Sequence, residues 1–62
     1  MNVRKQVIQA IREMNYEEEW VTAQDVVNHT MGDEEKIQAE LTWLRKNSCV
    51  CFKQEGSRYK LP

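Results

Sequence analysis

The sequence predicts a small α+β domain, three helices followed by a β-hairpin, and three changes of apolar spacing predict it. Val26, Val27 and Met31 are spaced for a short helix, and Ile37, Leu41 and Leu44 for a longer one. Val50, Phe52, Tyr59 and Leu61 then alternate at period two around a polar Gln54-Glu55-Gly56-Ser57 turn. At 62 residues the chain has room for a single domain, residues 1–62. A chain this short buries only roughly 60% of its unfolded surface, so every apolar position matters. Its 40% hydrophobic and 31% charged residues are a globular rather than a disordered balance.

The first helix is expected over residues 2–14. Val3, Val7, Ile11 and Met14 fall on one stripe, widened by Ile8 and Ala10, while Arg4, Lys5, Gln9 and Arg12 lie on the wet side. Asn2 can serve as its N-cap. Tyr16 to Trp20 carries three consecutive glutamates and reads as a loop leading into a short extended segment at Trp20-Val21. Tyr16 and Trp20 are expected to pack against the core or a strand edge.

Thr22 is a good N-cap for a second helix over about 23–30, with Asp25 three residues on at the positive end of the dipole. His29 falls on its polar side and reads as a plain surface histidine. Met31-Gly32-Asp33 is the turn, in which Gly32 can take positive φ and Asp33 can cap the next helix. The third helix is expected over about 34–47. Ile37, Leu41 and Leu44 form its buried stripe, and Gln38, Thr42 and Arg45 its far side. Glu34 and Glu35 suit its N-terminus, and Arg45 and Lys46 its C-terminus. Asn47-Ser48 ends it, where a left-handed residue is usual. The hairpin then pairs residues 50–53 with 57–61. Cys49 and Cys51 share a face of its first strand, a spacing suited to two reduced, strand-filling thiols and poor for a disulfide or a metal site.

This order resembles the winged helix-turn-helix superfamily, the fold of many small bacterial and phage transcription regulators. The stretch from Asp25 through His29-Thr30-Met31-Gly32-Asp33 to Ile37 has the length those proteins use between the core residues of their second and third helices. Ile37-x-x-x-Leu41-x-x-Leu44-x-x-x-Ser48-x-Val50 is similar to their core pattern, and Arg58-Tyr59-Lys60-Leu61 to their returning strand. The resemblance covers nearly the whole chain and implies a two-stranded β-hairpin wing behind three helices. Three departures stand out. Ser48 replaces the usual glycine, Gly32 comes one place late in the turn, and the third helix opens on Asp33-Glu34-Glu35 where DNA-reading relatives carry Ser, Thr, Arg or Gln.

The resemblance implies double-stranded DNA as the partner, with the third helix in the major groove. Gln38, Thr42 and Arg45 would then face the groove, Gln pairing with adenine and Arg with guanine. Lys46, Lys53, Arg58 and Lys60 would contact phosphates, which position without specifying. The net charge of −1 is low for such a role, but phosphates feel a local patch, and Arg45, Lys46, Lys53, Arg58 and Lys60 gather the positive charge into the C-terminal third. The alternative is a protein-interaction module that does not itself bind DNA. Trp43 with the acidic Glu34 and Glu35 would form its contact surface. Trp43 lies on a shoulder with Lys36, Glu40 and Asn47, either widening the core or standing out as an aromatic anchor.

A monomer would bind one half-site weakly, so a homodimer through the first helix or a place beside a larger protein is expected. No nucleophile–base–orienter set and no Gly-rich phosphate loop occurs, so neither enzyme activity, cofactor, metal nor small-molecule substrate is expected. Nor is a membrane partner: Met-Asn-Val-Arg-Lys-Gln opens the chain without an apolar run behind it, and no stretch reaches bilayer length. A cytoplasmic location is the corresponding expectation.

Overall fold

Each helix starts at a side chain that satisfies its first free amides. In the computed structural model, which describes residues 2–62, Asn2 Oδ1 accepts the Arg4 amide at 2.9 Å, and α1 (Val3–Met14) follows. Thr22 Oγ1 accepts the Asp25 amide while Asp25 returns a carboxylate oxygen to the Thr22 amide, both at 3.0 Å. This reciprocal pair opens α2 (Ala23–Thr30). Asp33 Oδ1 accepts the Lys36 amide at 3.2 Å and opens α3 (Glu34–Lys46). All three caps fall where the sequence places them, because each is a contact between residues two or three apart.

The helix ends are equally local. Ser48 is left-handed, with φ 57°, and its neighbour's amide closes the last turn by bonding Leu44 O at 2.8 Å. The turn between α2 and α3 differs from the expectation. Met31, not Gly32, takes the left-handed conformation, with φ 58°. Gly32 is there for space: a Cβ built on it would lie 2.9 Å from Ile37 Cδ1 and 3.2 Å from Thr30 Oγ1. Thr30 Oγ1 also accepts the Gly32 amide, so the turn hugs the end of α2.

The sheet has three strands rather than the two of a simple hairpin. The first, β1 (Val21–Thr22), starts one residue later than the Trp20-Val21 segment suggests. It pairs antiparallel with β3 (Arg58–Lys60), which also pairs with β2 (Cys51–Lys53), giving the order β1-β3-β2. Val21 and Phe52 both lie opposite Tyr59, so these three side chains share the core-facing side. Because β2 begins at Cys51, Cys49 lies outside it, exposed, and the expected pair of strand thiols reduces to one. Both cysteines are free.

Val7, Ala10 and Ile11 of α1 meet Val26, Ile37, Leu41 and Leu44 of the other helices, and Val21, Val50 and Tyr59 close the core from the sheet. No buried side-chain polar atom lacks a partner among the described residues. Asn15 ties the acidic loop down. Its amide donates to the Glu18 and Glu19 carbonyls at 2.8 and 2.9 Å, and its Oδ1 accepts the Leu61 amide at 3.1 Å. Tyr16 gains nothing from this. It is 85% exposed, so it packs neither in the core nor at a strand edge as expected, because the α1 terminus turns it outward. No helix among the described residues is long and apolar enough to cross a membrane.

Candidate nucleic-acid interface

On α3 the core stripe of Ile37, Leu41 and Leu44 leaves Gln38, Thr42, Arg45 and Lys46 exposed. Thr42 donates its hydroxyl to Gln38 O at 3.0 Å, which restrains its side chain on this exposed side. Arg45 is held more firmly. Its guanidinium carbon lies 3.8 Å from the centre of the Phe52 ring, and Phe52 in turn meets Tyr59 at 5.1 Å between ring centres, tilted by 55°. The outward face of α3 is thereby fixed beside the hairpin.

The hairpin carries the remaining cations on its other side. Lys53 pairs with Arg58 next to the turn, and Cys51 with Lys60 further in. Since Phe52 and Tyr59 face the core, strand alternation puts Lys53, Arg58 and Lys60 on the outer face. The turn that follows Lys53 is tight, with Gly56 and Ser57 both at positive φ, and the Ser57 amide bonds Gln54 O at 3.0 Å.

Lys60 is engaged differently from the rest. Its Nζ donates to Glu19 Oε2 at 2.8 Å. That hydrogen bond, with the attraction of the charges behind it, holds the Glu19 carboxyl below its ordinary range and Lys60 above its own. Lys53 Nζ and Lys60 Nζ also stand 5.5 and 5.1 Å from the centre of the Trp20 ring. Trp20 therefore lies half-buried over the outer sheet face at the start of the edge strand β1, which is the strand-edge placement of the two expected, not the core.

Of the seven candidate DNA contacts, Lys53, Arg58 and Lys60 share this face, and Gln38, Thr42, Arg45 and Lys46 share the exposed side of α3. The Arg45–Phe52 contact meets the hairpin on its core-facing side, so the two groups lie on different faces of the hairpin. Glu34 and Glu35 stand exposed at the opposite end of α3, and Asp33 is committed to its cap.

Trp43 occupies the other shoulder of α3, toward α1, and is 41% exposed. The Arg4 guanidinium carbon stacks 3.6 Å from its ring centre while Arg4 Nε donates to Glu40 Oε2 at 2.7 Å. Val3, Arg4, Lys36, Ala39, Glu40 and Trp43 line a shallow cleft of about 340 Å³ there. A second cleft, of about 520 Å³, lies between α1, the acidic loop and α2. At its edge His29 Nε2 meets Glu13 Oε1 at 2.8 Å, so His29 is an exposed surface histidine, as expected, that also bridges to α1. Among the described residues, no group of three or more His, Cys, Asp or Glu is placed to hold a metal ion.

Sequence reasoning missed Trp20, Glu19 and Arg4 as members of these surfaces. Strand register is the signal that could have found the first two. Once Val21 is set opposite Tyr59, Trp20 and Glu19 necessarily run alongside Lys60. Compared with known proteins, the chain matches no family model and no curated protein.

Proposed function

We propose that the chain is a small winged helix-turn-helix that binds double-stranded DNA, as a transcriptional regulator or an accessory factor beside one. The observation that supports this reading is the stacking of Arg45 on Phe52, which sets the exposed side of α3 beside the hairpin whose outer face carries Lys53 and Arg58. Gln38, Thr42 and Arg45 would enter the major groove, where amide and guanidinium groups read base edges. Lys46 at the end of α3, with Lys53 and Arg58 beside the hairpin turn, would bridge flanking phosphates. Lys60 contributes least, since Glu19 already neutralises it. The acidic start of α3 points away from this end and would sit at the edge of the contact.

The test is a titration of the full chain against mixed-sequence duplex at low salt, repeated as salt rises. Each neutralised phosphate adds roughly 0.9 to the slope of log affinity against log salt. Replacing Arg45, Lys53 and Arg58 together by Ala should remove most of that slope. Duplex binding that is absent at low salt, or that is indifferent to the triple substitution, rejects the reading.

A second reading rests on a separate observation. Trp43 is a large, partly exposed aromatic bracketed by Arg4 and Glu40, the kind of residue that anchors protein interfaces. In that reading the chain is a protein-interaction module, and Glu34 and Glu35 give its partner surface a basic character. Such a partner, a second copy included, would be lost on Trp43→Ala and kept when the hairpin cations are removed.

A further inference from the structure

The outer face of the sheet carries an aromatic feature that the duplex reading leaves unused. Trp20 lies across it as a flat aromatic surface, and Lys53 and Lys60 hold ammonium groups 5.5 and 5.1 Å from the ring centre. Arg58 extends the same face at the position opposite Lys53. Duplex phosphates would need the cations alone. An indole offers nothing to the backbone of a paired strand, whose bases are already stacked.

We infer that this face is a platform for single-stranded nucleic acid, on which an unpaired base stacks against Trp20 while Lys53 and Lys60 take the flanking phosphates. Every base has a π-face, so such a platform binds without strict sequence preference, and basic residues beside the aromatic track the backbone. Charge argues for this occupant. Three cations project from one small sheet face, and Glu19 is the one carboxylate among the described residues that pairs with any of them. The lysines also suit a two-state role. Without a strand they rest over the indole, and a strand draws them to phosphate oxygens while the base takes their place on the ring. Lys53 is shared with the proposed duplex contact, but the platform does not require duplex binding.

The experiment uses the full chain carrying Trp43→Phe, which leaves Trp20 as the sole tryptophan. A short oligothymidylate is titrated at low salt and Trp20 fluorescence is read. Saturable quenching is expected, and an abasic oligomer of equal length should not reproduce it. Trp20→Leu, followed by anisotropy of a labelled oligothymidylate, should weaken binding about tenfold, within the range for one stacked base. Trp20→Phe should keep most of the affinity, and it covers the case in which the leucine variant loses its fold. Replacing Lys53 and Lys60 by Ala should lower the salt slope by about 1.4.

Absence of quenching overturns the inference. So does equal quenching by the abasic oligomer, which would mean attraction by charge alone, or by oligoglutamate, which would make the face a site for acidic protein. Duplex binding that fails while oligothymidylate still quenches rejects only the duplex reading. Duplex binding that survives Trp20→Leu with no single-strand quenching rejects only the platform.

Discussion

Glu13 and His29, sixteen residues apart, meet at 2.8 Å between Oε1 and Nε2, and this contact links α1 to α2 along the rim of a cleft. The bond from His29 holds the Glu13 carboxyl below its ordinary range, helped by a second bond from the Gln9 amide. A carboxyl lowered by folding adds stability above its unfolded pKa, about 4.3 for glutamate. That stability is lost as pH falls below this value and through the lower folded one. Glu13→Gln should therefore lower the melting temperature near neutrality and flatten the acid side of its plot against pH, the two curves converging as pH falls. An acid limb as steep as that of the parent would refute the assignment.

Neighbouring positions in the α2–α3 turn should respond in opposite ways to small changes. Gly32→Ala places a Cβ 2.9 Å from Ile37 Cδ1, and Ile37 is buried against the other helices. Overpacking of this kind costs about 1–3 kcal/mol, and the reduced entropy of the unfolded chain returns roughly 0.4–1. A net loss of about 1 kcal/mol is expected. Met31→Gly acts where the backbone is left-handed and the side chain is 89% exposed, so it removes strain and sacrifices almost no packing. It should be neutral or stabilising. Denaturant melts of the two variants check the contrast.

That turn also shows where sequence reading ends. Thr22 with Asp25, Asn2 with Arg4, and Asp33 with Lys36 are legible because each bond spans two or three residues of chain. The core stripes are legible because helical and strand periods sort them. Which residue of Met31-Gly32 bends the chain depends on how near Ile37 comes, and that is a tertiary distance. The same holds for Arg4 on Trp43 and His29 on Glu13, whose partners are set by the packing of α1 on its neighbours, and for Lys60 on Glu19, which the β1–β3 register sets. Trp20 is open between the core and a strand edge on sequence alone, and the β1–β3 register places it over the outer face beside Lys60. The candidate site was thus half legible: the cations could be named, but not which of them share a face.

Arg4 offers a direct measure of one such tertiary contact. It stacks on Trp43 and bonds Glu40 at once, at the edge of the α1–α3 seam. Its side chain is 43% exposed, so solvent screens the ion pair, and the stacking is worth about 0.5–1 kcal/mol. A double-mutant cycle between Arg4→Ala and Trp43→Ala, read by denaturant melts, should return a coupling energy of that size. A cycle that closes with no coupling would mean that Trp43 is free in solution, available for a partner without displacing Arg4.

The exposed carboxylates of α3 set stability against nucleic-acid affinity, which gives the proposed function its sharpest test. Glu34 and Glu35 lie in the first turn, where negative charge interacts with the helix dipole for about 0.3–1 kcal/mol each. Replacing both by Gln should lower the melting temperature. Near DNA the same charges repel phosphate, so the double variant should bind duplex more tightly than the parent at low salt, with the difference shrinking as salt screens it. Affinity that rises while stability falls fits a chain whose third helix approaches the duplex. If Glu34 and Glu35 instead meet a basic protein partner, the double variant loses stability and binding together, and its duplex affinity does not change.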